Sequence, residues 1–229
     1  YEVKGFIKKA ELDFFKKNSI NNLNFFFKIK NKNYNLESLS ASFNKIKLSA
    51  PTINIEKKEN LHLVSGKIIN EKENVNIDLL DDLLGSSFKD NDVEKIILSS
   101  NNDFNFNINT KYKIKNFTLK SKVNLSRLVY KNNSTTIKSY LPEYKNLIEL
   151  EDHLISINYK KNQLHITGKG NLKIKDKIDK IHYKISKKKE DYFFDTNIKI
   201  NENLLSINAL QYEKKKDVDS LLKLKGVYK

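Results

Sequence analysis

The sequence predicts an all-β protein: one elongated, curled antiparallel sheet that forms an apolar groove, with at most one or two short helices. Apolar residues occupy every second position in short stretches from Leu23 almost to the last residue, the residues between them are mostly Lys, Asn, Ser, Asp and Glu, and the polar links are short. A period of two gives a strand one apolar and one polar face. Short links fit antiparallel hairpins, because parallel strands need long crossover connections.

The alternating stretches define the predicted strands in chain order. Their apolar positions fall at 23–29, 39–43, 46–50, 53–55, 61–63, 66–68, 75–79, 104–108, 112–114, 117–125, 155–159, 164–168, 172–174, 181–185, 194–200, 205–209 and 222–226. Links such as 57–60 and 70–74 have the length of hairpin connections.

Helical spacing is confined to short segments. Residues 79–84 carry four leucines at helical positions, and Gly85 can end that helix. Residues 214–222 are a weaker helical candidate. Two irregular insertions interrupt the alternation near 81–103 and 131–152, which we interpret as loops, strand crossovers, or insertions packing over one end of the sheet.

A short motif recurs along the chain. Residues 60–67 (NLHLVSGK) resemble residues 163–169 (QLHITGK), and residues 222–226 (LKLKG) end in a similar way. We expect a repeated unit in which a strand closes on glycine and a turn leads into the next amphipathic strand. Repetition of this kind allows an extended sheet to grow without a closed core.

Length and composition favour a piece of a larger protein. The 229 residues fit one domain or one elongated sheet, and we favour a single β-rich segment spanning 1–229, since the chain lacks methionine even at position 1. No apolar run approaches the roughly 20 residues of a membrane-spanning helix, which indicates a soluble or peripheral segment. The absence of cysteine excludes disulfides and thiolate chemistry.

The net charge of +15 comes almost entirely from lysine, since Arg127 is the only arginine. A solvated outer face, with lysines that protect sheet edges, explains most of this charge. Attraction to anionic lipid headgroups is the functional alternative. The runs 187–189 and 214–216 are predicted to be hairpin tips or linkers.

Candidate catalytic groups are sparse. His62 and His165 occupy matching outward positions, but a shared metal site would need adjacent strands and a third ligand. Asp81 and Asp82 diverge on a helix, so capping or solvation explains them better than a carboxylate pair. The sequence has no nucleophile elbow and no phosphate-binding glycine loop. We expect no enzyme activity, no cofactor and no metal.

Aromatic residues cluster near the N-terminus. Phe25, Phe26 and Phe27 follow Phe14 and Phe15, and the pair Phe104 and Phe106 comes later in the chain. Such a cluster can be the core of a β-sandwich or the lining of an open channel for acyl chains. The sequence leaves both interpretations open.

Residues 20–55 carry a family resemblance. The segments INNL at 20–23, YNLESLSASFN at 34–44 and IKLSAP at 46–51, together with KIKNFTLKS at 113–121 and residues 164–174, resemble the AsmA-like proteins of Gram-negative bacteria, closest to their YhdP branch. The chain departs from that pattern by having Asn and Lys at many turn positions.

The resemblance implies a periplasmic segment of a protein anchored in the inner membrane outside this chain. Its sheet would conduct phospholipids toward the outer membrane, with acyl chains and outer-membrane components as partners, no nucleic acid, and no catalytic residues. The expected lining residues are Phe25, Phe27, Ile29, Ile53, Ile55, Leu63, Phe104, Phe106, Ile108, Leu119, Val123, Ile166, Ile198, Ile200 and Ile207.

Two other classes of function stay open. An assembly module, like the TamB relatives linked to outer-membrane protein biogenesis, would pair its sheet edges with client strands. A basic RNA-binding or DNA-binding protein is the third class, and its nucleic-acid affinity would depend steeply on salt.

Overall fold

The computed structural model describes residues 1–14, 18–77, 93–131, 135–215 and 218–228, without the side chains of residues 14, 18, 135 and 136. Twelve strands form one antiparallel sheet in which strands adjacent in the chain are also adjacent in the sheet. They are β1 (Glu2–Phe14), β2 (Asn18–Lys30), β3 (Asn33–Phe43), β4 (Ile46–Lys57), β5 (Leu61–Asn74), β6 (Val93–Asn109), β7 (Ile114–Lys131), β8 (Leu147–Lys160), β9 (Gln163–Ile174), β10 (Lys177–Lys188), β11 (Asp191–Ile200) and β14 (Ser220–Tyr228).

The remaining described elements are short. A helix, α1 (Thr135–Tyr140), lies between β7 and β8. β12 (Leu205–Ile207) and β13 (Tyr212–Lys214) form a separate two-stranded sheet, and a 3-10 helix at Asn208–Leu210 connects them. The predicted all-β class is confirmed, because 79% of the chain is strand. The predicted curl of the sheet is not confirmed.

Left-handed residues close the tightest hairpins. Asn31 and Lys32, with φ of 51° and 62°, join β2 to β3. The pairs Asn44–Lys45 and Lys161–Asn162 repeat this geometry at two other hairpins. Two central residues with positive φ are the mark of a type I′ turn, in which asparagine substitutes for glycine at small cost. This explains how the chain makes hairpins with Asn and Lys in place of turn glycines.

A slip in the apolar pattern is absorbed within β3 and β4. Leu36 pairs with Ile53, and Leu39 pairs with Ala50, so the apolar spacing is three in both strands. Ser38 between them has a φ of 52°, a backbone irregularity that reverses the parity of the strand. The predicted strands 46–50 and 53–55 are consequently one continuous strand, β4.

The two predicted helices and the two predicted insertions have different outcomes in the structure. The predicted helix at 79–84 lies outside the described residues. The weaker helix at 214–222 is wrong, because Lys214 ends β13 and Ser220 begins β14. In the predicted insertion near 81–103, the described residues from Val93 onward are not irregular, because they form the first part of β6. The insertion near 131–152 contains α1 and ends where β8 begins at Leu147.

Glycines of the repeated motif lie inside strands, contrary to the expectation that they close them. Gly66, Gly168 and Gly226 are internal to β5, β9 and β14. Tyr183 lies directly across from Gly168, and Phe194 directly across from Gly226. A Cβ at either glycine would collide with the opposite ring. These glycines therefore leave room for aromatic rings of neighbouring strands.

The chain divides into two compact units. Unit 1 comprises Tyr1–Glu73, Ser99–Lys122 and Ile157–Gln163. Unit 2 comprises Asn74–Leu98, Val123–Ser156 and Leu164–Lys229. The buried core cluster of the described residues lies in unit 2, where Tyr144, Leu172 and Ile174 pack together.

Candidate functional site

Pairing registers gather the predicted groove residues of unit 1 on one face of its strands. Phe27 lies across from Leu36, Leu36 across from Ile53, and Ile53 across from Gly66. Directly opposed residues in antiparallel strands point to the same side. A parallel row contains Ile29, Tyr34, Ile55 and Val64. We call this side the apolar face of unit 1.

Aromatic rings extend the apolar face from β5 toward β8. The ring of Phe104 lies over Gly66, 3.1 Å from the position that a Cβ would occupy. Ring centroids then follow at 5.8 Å from Phe104 to Phe106, 6.3 Å from Phe106 to Phe117, and 5.8 Å from Phe117 to Tyr159. These spacings lie within the favourable range for aromatic pairs. Phe117 and Tyr159 are not among the lining residues that the sequence predicts.

The apolar face of unit 1 is only half-covered. All of its predicted lining residues keep part of their surface exposed: Phe25, Phe27, Ile29, Ile53, Ile55, Phe104, Phe106, Ile108 and Leu119. On β1, Val3 remains 53% exposed. The core side chains of a two-layer sandwich would be fully buried, because the second sheet covers them. The side chains described here leave the face accessible.

Leu63 is the predicted lining residue of unit 1 that points elsewhere. It lies across from Glu56, whereas Ile55 lies across from Val64. Val64 is 6% exposed and occupies the place expected for Leu63 on the apolar face. The sequence predicts Leu63 on the apolar face, one residue away from the correct position, because Leu61 and Leu63 form the more regular apolar pair.

A polar network crosses the apolar face of unit 1, and no pattern in the sequence predicted it. Asn102 Nδ2 donates to Ser100 Oγ at 2.7 Å and to the Ile68 carbonyl at 3.2 Å, and Ser121 Oγ donates to Asn102 Oδ1 at 2.5 Å. Ser100 Oγ also donates to Asn70 Oδ1. Asn70 and Ser121 are buried. These side chains satisfy one another's hydrogen-bonding groups, so their burial costs little free energy. The network forms the boundary of the aromatic part of the face.

The opposite face of unit 1 is polar with isolated aromatic rings. Phe6 and Phe26 form an edge-to-face pair with centroids 6.5 Å apart, and Phe26 is 57% exposed. A shallow recess of about 510 Å³ is lined there by Asn24, Ser40, Ser49 and other side chains that are mainly polar. None of the predicted lining residues contributes to that recess. Phe14 and Phe15 have no described side chains.

Part of the apolar face of unit 2 is covered. Tyr144, which follows α1, is 2% exposed and packs on Leu172 and Ile174 of β9. Partly buried residues from α1 and from strands β8 to β11 surround them: Ile137, Leu141, Ile148, Leu150, Ile181 and Ile198. The insertion near 131–152 therefore packs over this part of the sheet, one of the alternatives that the sequence left open.

The predicted lining residues of unit 2 do not form a common open surface. Ile198 packs against the Tyr144 cluster, and Ile200 is buried at 3% exposure. Ile207 belongs to the small sheet, where it pairs with Tyr212. Two further residues, Val123 in β7 and Ile166 in β9, are half-buried.

Unit 2 also holds a fully buried histidine, His153. Its Nε2 donates to the Asn171 carbonyl at 2.9 Å, which leaves Nδ1 to accept from the Tyr183 hydroxyl at 3.3 Å. Its ring lies over Gly170. Burial lowers the pKa of His153 and raises the pKa of Tyr183. Alternation with Ile155 indicates on which side of β8 the ring lies, but not that it is buried.

Asp179 and Lys214 are also buried in unit 2, as is Glu149. Asp179 accepts hydrogen bonds from the backbone amides of Asn201 and Glu202, at 2.7 and 3.0 Å, and from Asn203 Nδ2 at 2.8 Å. Lys214 Nζ donates to the carbonyls of Asn201, Asn203 and Lys215. The expectation that 214–216 is a hairpin tip or linker is thus wrong for Lys214, which is buried at the end of β13. The run 187–189 ends at the β10–β11 hairpin, with Lys189 in the turn.

Other chemical candidates do not converge. His62 lies on β5 and His165 on β9, which are not neighbours in the sheet, so the two cannot share a metal ion. Asp81 and Asp82 lie outside the described residues. Across the described part of the chain, no cluster of three or more His, Asp or Glu could bind a metal. In the same part, no helix combines the length and apolarity required to span a bilayer.

Comparison with protein-family models, with curated proteins and with solved structures finds no match for this chain. The resemblance to AsmA-like proteins consequently stays a prediction from residue pattern. What the structure supplies for function is the apolar face of unit 1, which is partly exposed and ends at the polar network around Asn102. We call its four rings Phe104, Phe106, Phe117 and Tyr159 the aromatic row.

Proposed function

We propose that the chain binds the acyl chains of phospholipids on the apolar face of unit 1, as a segment of a periplasmic protein that conducts lipids between membranes in the manner of AsmA-like proteins. One observation carries the proposal. The nine predicted lining residues of this face share one side of the strands and stay partly exposed, although their neighbour Val64 is buried.

Hydrocarbon is the ligand that such a face favours. Each methylene moved from water onto an apolar surface contributes up to about 0.8 kcal/mol, so a lipid tail covering the aromatic row would bind appreciably. The face offers few directional polar groups, apart from the network around Asn102. Binding would therefore discriminate weakly among acyl chains.

Movement of a lipid along this face needs no bond to be made or broken. Apolar residues follow one another across adjacent strands from Phe27 on β2 through Ile53 on β4 to Phe104 on β6. A tail crossing the strands would exchange one apolar contact for an equivalent neighbour. The polar network at Asn70 and Ser121 would confine this path to the part of unit 1 that carries the aromatic row.

The test compares two adjacent phenylalanines on opposite faces. Phe27→Asp places a charge on the apolar face, whereas Phe26→Asp places the same charge on the polar face. We expect Phe27→Asp to weaken binding of a fluorescent fatty-acyl probe at least about tenfold, equivalent to about 1.4 kcal/mol, and Phe26→Asp to change it little. Mass spectrometry of lipids extracted from the purified chain should show the same order.

Circular dichroism would verify that both variants keep their strands, and Ile108→Asp provides a second apolar-face variant if Phe27→Asp unfolds. Equal probe binding by wild type, Phe27→Asp and Ile108→Asp, all folded, would refute the proposal. So would the complete absence of lipid from the wild-type protein together with no probe binding.

Strand pairing with a client protein is the second candidate, and one observation favours it. β1 has thirteen residues and lies at the edge of the sheet, with Val3, Phe6 and Leu12 exposed. A long edge with exposed apolar residues can add a further strand. Under this function an extended peptide with alternating apolar residues should bind, and Phe27→Asp should affect that binding less than probe binding.

A further inference from the structure

The hairpin tips of unit 1 occur at both ends of its strands, in alternation. In an antiparallel meander every second turn lies at the same end. The turns β2–β3, β4–β5, β6–β7 and β8–β9 therefore share one end, and the register Glu2–Lys30, Lys30–Asn33 and Asn33–Glu56 aligns the first strands there. We call these four turns, with Tyr1 beside the first, the tip edge.

Lysines dominate the tip edge. The exposed ones at or next to the turns are Lys30, Lys32, Lys57, Lys58, Lys111, Lys113, Lys160 and Lys161. The acidic residues at this end are Glu2, Glu56 and Glu59, of which Glu2 pairs with Lys4, Lys28 and Lys30, and Glu56 with Lys58. Within the described chain, no ion pair involves the lysines of the β6–β7 and β8–β9 tips. The edge thus has uncompensated positive charge.

Exposed apolar groups accompany these lysines. Tyr112 at the β6–β7 tip is 89% exposed, Ile114 beside it is 62% exposed, and Tyr1 is fully exposed. Rings and branched chains in this position gain nothing from the fold itself. Tyrosine concentrates at membrane–water interfaces, where its ring meets apolar tails and its hydroxyl meets water, while lysine reaches headgroup phosphates.

The described turn at the other end of unit 1 carries an exposed lysine but no strongly exposed apolar side chain. Asn44, in the β3–β4 turn, exchanges hydrogen bonds with Ser19 at 2.9 and 3.1 Å, which ties the turn to β2. Its neighbour Lys45 is exposed, and neither turn residue is aromatic. Phe43 and Ile46, which flank this turn, are only partly exposed, so strongly exposed apolar side chains accompany lysine at the β6–β7 tip and not at this turn.

We propose that the tip edge of unit 1 docks on the surface of an anionic phospholipid bilayer. Charge complementarity selects the headgroups, and Tyr112 and Ile114 select a membrane over a soluble polyanion. Nucleic-acid binding fits less well, because Arg127 is the only arginine of the chain and pairs with Glu149 in unit 2.

Docking of this kind would bring the bilayer next to the apolar face of unit 1. Ile29 and Tyr34 of that face lie within two residues of the β2–β3 turn. A lipid leaving the membrane would therefore meet the apolar face directly. In this respect the inference rests on the proposed function, although the membrane contact itself can be measured separately.

The experiment is flotation of the full chain with vesicles made of equal parts phosphatidylcholine and phosphatidylglycerol, and with vesicles of phosphatidylcholine alone. The test variant is Lys111→Glu with Lys113→Glu. The matched control is Lys45→Glu with Lys72→Glu, which makes the same change in net charge at exposed residues of unit 1 away from the tip edge. Melting curves would verify that both variants are folded.

We expect the tip variant to bind anionic vesicles at least about tenfold more weakly than wild type, since each lysine near such a surface contributes on the order of 1 kcal/mol. The control should lose about twofold or less. Tyr112→Asn, which suits the local φ of 56°, should lose about threefold without any change in charge.

Three results would overturn the inference: equal losses in the tip and control variants, equal binding to neutral vesicles, or preferential binding to DNA that the tip variant abolishes. Probe binding without vesicles separates this inference from the proposed function. If the tip variant loses vesicle binding and keeps the acyl probe, both hold. If Phe27→Asp loses the probe while vesicle binding never depends on the tips, only the proposed function survives.

Discussion

Unit 1 and unit 2 are built from the same amphipathic strands, yet they treat their apolar faces differently. In unit 1 the face carries Phe27, Phe104 and Phe106, all partly exposed. In unit 2 the segment that follows α1 places Tyr144 over Leu172 and Ile174, and this covers that part of the face. Alternation therefore specifies an apolar face, whereas an insertion packed on it turns the covered part into a core.

Buried ionisable groups follow the same division. The buried charged or ionisable side chains of the described residues include His153, Asp179, Glu149 and Lys214, all in unit 2. The buried polar residues of unit 1 are Asn70 and Ser121, which are neutral. Charged groups lose hydration on burial, so they are tolerated where a packed environment supplies fixed partners. Unit 2 is therefore expected to be the part that determines stability.

The largest expected difference between the units concerns truncation of aromatic residues. Tyr144→Ala should lower the free energy of unfolding by about 3–5 kcal/mol, because it leaves a cavity in a packed cluster. Phe106→Ala should lower it by about 1 kcal/mol or less, because its ring is already partly hydrated. Urea denaturation of both variants measures this, and equal losses would mean that the two faces are covered to the same extent.

Adding a methyl group to glycine gives an intermediate effect. Gly170→Ala would drive a Cβ into the His153 ring, which is fully buried and cannot move away. We expect a loss of about 1–3 kcal/mol. Gly5→Ala would meet the Phe27 ring, which can swing into open space on the apolar face, so the loss should stay below about 1 kcal/mol. Thermal melts of both variants would contradict the comparison if the order were reversed.

The smallest effect is a pH dependence confined to unit 2. Burial lowers the pKa of His153 in the folded state, while the Asn171 carbonyl and the Asp152 charge partly oppose that shift. The unfolded chain therefore binds more protons below about pH 6.5, and stability should fall as the pH drops through that range. The slope contributed by one site cannot exceed about 1.4 kcal/mol per pH unit.

His153→Gln should flatten this part of the stability profile, because an amide does not titrate there. His165→Gln is the matched control, since His165 is exposed and its replacement should leave the slope unchanged. Denaturant midpoints measured between pH 5 and pH 7.5 would show the difference. A slope identical in wild type and His153→Gln would rule out His153 as its source.

Much of the fold could be predicted, because alternation of period two depends only on local geometry. It predicted the antiparallel strands, the short hairpins, and the shared face of Phe27 and Ile53. It did not predict the position of Leu63, since Leu61 and Leu63 form a more regular apolar pair in the sequence than Val64 and Gly66 do. The curl of the sheet depends on twist accumulated over many strands and was likewise not predictable from the pattern.

The candidate site was predictable only in part. Nine of the lining residues expected in unit 1 lie on its apolar face, but Ile198 and Ile200 of unit 2 are covered. Nothing in the irregular segment 131–152 indicated that Tyr144 would become a core residue. The sequence predicts that Gly66 and Gly168 end their strands. Their actual role is to leave room for an aromatic ring of a neighbouring strand, and the sequence around each glycine does not contain that ring.

Residue parity alone makes these strands amphipathic, with one apolar and one lysine-rich side, because side chains alternate in direction along a strand. Parity does not specify which apolar surface is covered, which histidine is buried, or where lysines and tyrosines gather at an edge. Those outcomes depend on contacts between residues distant in the chain, such as Tyr144 with Ile174, and no local pattern encodes them.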